Sequence, residues 1–171
     1  MIIFNKNKHF SKLIEELFNM SMKNIRELNV ILTPYGAKPF IEKNKEKFVM
    51  ISFLYLLFFQ ECSLQKKYYP KYKEEISTVL DSLIYHISER FNYNPQKISE
   101  IYFDIRKHLD NMSNDKMIAE IGLYYGVAVH YLQHVFSDEY NVEDVCEDDT
   151  PYVIVGTFFQ RFTNDCINVL K

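Results

Sequence analysis

The residues best spaced for chemistry are His130 and His134, in the segment HYLQH. On a helix they stand one turn apart on one face, the spacing with which helical proteins chelate a metal ion. The remainder of a metal centre is missing. No Glu lies between them where a zinc protease places its base, and no Glu-x-x-His occurs anywhere, which argues against a di-iron bundle. At about 100° per residue the pair shares an arc with Lys116, Glu120 and Gln133, the polar stripe of an otherwise apolar helix. Ordinary residues at a solvent edge are the plainer expectation, and no cofactor is expected. Asp104 with His108, and His86 with Glu89, are further pairs within side-chain reach along their own helices. One cluster of His86, Asp104, His108, His130 and His134 forms only if three helices converge.

Nucleophilic catalysis has less support. Cys62, Cys146 and Cys166 lie far apart, without CxxC or Cys/His spacing, so neither a disulfide framework nor a zinc site is expected and a reducing cytosol is the default. There is no GxSxG, P-loop or GxGxxG. Gly122 and Gly126 have small-xxx-small spacing, which predicts close helix packing there. The basic and tyrosine-rich stretch from Lys66 to Lys73 can stack bases in principle, but a net charge of −3 and a single arginine in the first 73 residues argue against nucleic acid.

Charge supplies another candidate. Residues 1–73 carry 13 basic and 6 acidic side chains, a balance of +7, and residues 74–171 carry 7 and 17, a balance of −10. The acidity peaks in SDEYNVEDVCEDDT, residues 137–150, with seven carboxylates and no base. It lacks the glycine and alternation of an EF-hand, which excludes that calcium site. Clustered carboxylates on an irregular segment suit docking on a basic partner, where they raise the association rate and make it salt-sensitive. The expected partner-binding residues are Asp138, Glu139, Glu143, Asp144, Glu147, Asp148 and Asp149, with Tyr140 as an aromatic anchor.

These candidates need a scaffold. A chain of 171 residues fits one domain, residues 1–171, able to bury about 70% of its unfolded surface. With only four Gly and five Pro against 27 Phe and Tyr, the composition favours helices over a sandwich or barrel. The element around which the chain is organised is FVMISFLYLLFF, Phe48 to Phe59, whose twelve residues include no charge. At that length it is too short to span a bilayer, which takes about 20 residues, and it reads as a core helix. The predicted fold is an all-α bundle of about six helices, with a fully apolar central helix at residues 43–63. Amphipathic stripes predict helices at about 10–29, 74–90 and 95–110, a largely apolar helix at 115–136, and a last helix at 151–170 after the Thr150-Pro151 pair. The stretch from Thr33 to Pro39 is expected to be a loop. The helices at 43–63 and 115–136 are expected inside, the others around them, and the apolar run is assigned to stability alone.

The composite expectation is a non-enzymatic cytosolic binding or regulatory protein of adaptor, inhibitor or immunity type, contacting a basic protein partner through the acidic loop. The alternative is a helical-bundle enzyme or sensor holding a metal or small ligand near His130 and His134. A third reading is self-association through exposed aromatic residues of the last helix. No membrane partner is expected.

Overall fold

A computed structural model describes residues 3–113, 122–136 and 149–170, with side chains from residue 10 onward. Among the described residues there are seven α-helices and no strand. They are α1 (Ile3–Leu32), α2 (Lys38–Lys43), α3 (Lys45–Tyr68), α4 (Lys73–Phe91), α5 (Pro95–Ser113), α6 (Leu123–Phe136) and α7 (Thr150–Val169). The protein is an all-α bundle, and its buried apolar side chains form one continuous cluster drawn from all seven helices.

The amphipathic stripes behave as periodicity requires. Leu13, Leu17, Ile25, Leu28 and Leu32 line one buried face of α1, and Ile76, Val79, Leu83, Ile84 and Ile87 line one face of α4. The Thr33–Pro39 stretch is more ordered than a loop. A 3-10 turn at Thr33–Tyr35 ends at Gly36, whose φ of 72° is open to glycine, and α2 follows directly. Pro34 and Pro39 sit in first turns, where a missing N–H costs nothing. Asn94 caps α5 as expected, its side-chain oxygen accepting the Gln96 N–H at 2.9 Å.

Helix α3 is the central element, and every residue from Ile51 to Glu61 is buried. It is the one described helix long and apolar enough to cross a membrane, yet 83% of that window is buried against neighbouring helices. Three polar side chains inside it are tied to other helices. Gln60 donates to the Leu17 carbonyl at 2.9 Å and to Ser21 Oγ at 2.8 Å on α1. Glu61 reaches α5, and Ser52 reaches α6 through the Tyr131 hydroxyl at 2.7 Å.

Two expectations about the C-terminal half need correcting. Helix α6 begins at Leu123, because Gly122 at φ +93° stands outside helical geometry; residues 115–121 of the predicted helix lie outside the described residues. Nor is α7 peripheral. It packs on α6, α3 and α1, and its Phe159 ring meets Phe59 at 5.2 Å, Tyr131 at 5.4 Å and Tyr55 at 6.4 Å. A close helix approach falls at Gly156 of α7, where an added Cβ would stand 3.1 Å from the Tyr124 carbonyl oxygen, while Gly122, one of the two glycines expected to mark such packing, has nothing within 4 Å.

Candidate functional site: a histidine cleft over a buried tyrosine

The site is built where α5 and α6 face each other above α3. On α5, Ile101, Asp104, Ile105 and His108 recur at intervals of three and four and form one stripe. On α6, His130, Gln133 and His134 do the same. The two stripes enclose a cleft of about 540 Å³. Its histidines come from both sides: His108 lies flat on His130, with ring centroids 3.9 Å apart and planes at 11°.

Behind the two α6 histidines lies Tyr55, from the middle of the apolar run. Its ring is fully buried and wedged edge-on against Tyr131 at 5.1 Å. Its hydroxyl lies 2.5 Å from His130 Nδ1 and 3.3 Å from His134 Nδ1. One phenol from α3 therefore holds both imidazoles of α6. The run from Phe48 to Phe59, assigned to stability alone on sequence, also reaches into the candidate site.

Electrostatics keep Tyr55, His130 and His134 uncharged near neutrality. Burial, then the neighbouring His108 and His134, push the His130 imidazole down to about 4. Burial and then the Lys47 ammonium lower His134. Burial, with a smaller contribution from Tyr131, raises the Tyr55 phenol far above its ordinary value, so it keeps its proton. The cleft thus offers the neutral imidazoles of His130 and His134 and the Gln133 amide, with the Asp104 carboxylate exposed at its rim.

His130 and His108 are stacked face to face, so their in-plane lone pairs run in parallel planes and do not converge on one point, while His130 and His134 both turn Nδ1 to Tyr55. Among the described residues no three His, Cys, Asp or Glu side chains are grouped to hold a metal ion.

The structure brings together Asp104, His108, His130 and His134, but not His86. That imidazole is exposed on α4, its Nδ1 within 2.7 Å of the Ser82 carbonyl and its ring against Phe18. Glu89 accepts from Tyr85 at 2.6 Å. Of the acidic segment, Asp138, Glu139, Tyr140, Glu143, Asp144, Glu147 and Asp148 lie outside the described residues. Asp149 is exposed at the start of α7, and its carboxylate acts with burial to raise the Tyr125 phenol. The basic aromatic stretch is partly occupied by the fold itself: Tyr68 and Tyr72 pack their rings on Phe10 of α1 at 6.1 and 6.2 Å. Cys62 and Cys166 are free thiols.

Tyr55 is the residue that sequence reasoning passed over. The available signal was a pair of hydroxyls, Ser52 and Tyr55, three apart in an otherwise apolar run and hence on one helix face. A second constellation was equally hidden. Glu61, 3% exposed, accepts from Tyr102 at 2.5 Å and Gln65 at 2.7 Å and pairs with Arg106 at 3.1 Å. The Arg106 Nε in turn lies 3.6 Å from Asp110.

The chain matches no protein-family model, no curated protein and no solved structure.

Proposed function

We propose that the protein is a helical-bundle receptor or sensor for a small polar molecule held non-covalently in the cleft between α5 and α6. The observation that carries this reading is the buried Tyr55 hydroxyl bonded to two half-buried histidines that line a 540 Å³ cleft. A phenol bonded to two imidazoles is an elaborate arrangement for core filling, and ligand sites combine apolar walls with a few convergent polar groups of this kind. Native mass spectrometry and thermal-shift screening of the purified full chain against small polar metabolites test the reading. The expected result is a ligand whose binding weakens at least about tenfold in His130→Ala and His134→Ala, as loss of a buried hydrogen bond implies. A ligand retained equally by both variants would place its site elsewhere.

A second reading, contact with a basic protein partner through residues 138–149, is favoured by the charge division of the chain and the seven carboxylates of that segment. Charge reversal at Asp144, Asp148 and Asp149 should abolish capture of such a partner while leaving the circular dichroism spectrum unchanged. Unaltered capture removes this reading.

A further inference from the structure

The chemistry that the cleft recognises follows from a single proton. A tyrosine hydroxyl has one hydrogen to donate, and Tyr55 stands within bonding distance of two Nδ1 atoms. It can donate to one of them only, and must accept an N–H from the other. O–H donors make shorter contacts than N–H donors. The 2.5 Å contact to His130 is therefore the one in which Tyr55 donates, and the 3.3 Å contact to His134 the one in which it accepts. With Nδ1 of His130 acting as acceptor, a neutral His130 carries its proton on Nε2. With Nδ1 of His134 protonated, its Nε2 keeps a lone pair. Tyr55 cannot turn away from this arrangement, because its ring is fully buried between Tyr131 and Phe159.

We propose that Tyr55 locks His130 and His134 in opposite tautomers, so that the cleft selects a neutral ligand carrying an acceptor beside a donor. Amide edges of small heterocycles and paired hydroxyls of polyols share this chemistry. The ligand part of the proposal rests on the cleft being a binding site; the tautomer part does not. The rest of the lining is consistent with it. Ile101 and Ile105 provide apolar walls for a compact molecule, and the Gln133 amide can both donate and accept. A carboxylate has no hydrogen for His134 and meets Asp104 at the rim, while an ammonium has no lone pair for His130.

Nitrogen-15 long-range correlation spectra of the imidazoles in the labelled full chain at pH 7.5 test the first part. The expected pattern is a protonated Nε2 on His130 and a protonated Nδ1 on His134. In Tyr55→Phe, which preserves ring volume, both rings should relax towards the mixed tautomers of free imidazole. The same tautomer in both wild-type rings, or an imidazolium in either, overturns the role of Tyr55, and the wild-type spectrum decides this even if the variant does not fold. Titration with uracil, ribose, acetate and methylammonium tests the second part. Uracil or ribose should bind, and about tenfold more weakly to Tyr55→Phe. Preference for acetate or methylammonium overturns the ligand class. Opposite tautomers with none of the four probes bound would overturn the binding-site reading and leave the Tyr55 assignment standing.

Discussion

Two of the buried polar constellations that connect α3 to its neighbours follow opposite rules. At Glu61 the network is closed. One carboxylate oxygen takes Arg106 and Gln65, the other takes Tyr102, and Arg106 turns its Nε to Asp110. At Tyr55 the network is open, since His130 and His134 are each bonded through Nδ1 and keep Nε2 free of the phenol above a solvent-accessible cleft. Both rest on a short tyrosine contact, 2.5 Å in each case, so the tyrosine itself does not separate them. What separates them is whether polar capacity is used up within the fold. A buried charge must be fully paired to be tolerated, whereas neutral imidazoles at a cleft can wait for a ligand.

Breaking the closed network should have the larger effect on stability. Arg106→Ala leaves the Glu61 carboxylate short of its cation and should cost about 3 kcal/mol in urea-induced unfolding. Tyr55→Phe strips the partner from two half-buried ring nitrogens and should cost about 1–2 kcal/mol, measured the same way. If the two losses came out equal, the distinction between a closed and an open network would fail.

Acidification should act on the open network. The unfolded His130 titrates at about 6.5, and the folded one at about 4, so between those values the unfolded chain binds a proton that the folded chain refuses. Stability should therefore fall as pH drops from 7 to 4 and level off below, as far as this group is concerned. Its share is about 1–2 kcal/mol once solvent screening in a half-exposed cleft is allowed for. His108, His134 and Asp104 flank it, Lys47 acts on His134, and His130→Gln should remove its part of the slope in thermal melts across that range. The smallest effect is expected at His108→Ala, which truncates an exposed ring and should change stability by less than about 0.5 kcal/mol. The same change should still perturb the His130 resonances, because the two rings are stacked.

Much of the scaffold was legible because helical periodicity is a local property. The stripes of α1, α4 and α5 and the cap at Asn94 can be read from neighbours in sequence. The i, i+4 spacing of His130 and His134 was visible for the same reason. What faces that pair was not: Asp104 and His108 lie on a separate helix whose placement no period encodes, and Tyr55 is 75 residues from His130. A tyrosine inside an apolar run looks like core filling, and its ring does fill the core, so its hydroxyl drew no notice. The depth of α7 was missed because a helix with apolar residues on a broad face can lie outside or inside, depending on which neighbours reach it. Its Gly156, which lets it approach α6, carries no periodic signal at all.

The arrangement of α5 gives the closed network a mechanical consequence. Tyr102 and Arg106 sit one turn apart on the side of α5 turned to α3, and Asp104 and His108 ride on the same rigid rod, rotated towards α6. Whatever fixes Tyr102 and Arg106 in place also fixes the far wall of the cleft. On the proposed binding reading, the ion pair at Glu61, although outside the cleft, also bears on the placement of the wall that a ligand would meet.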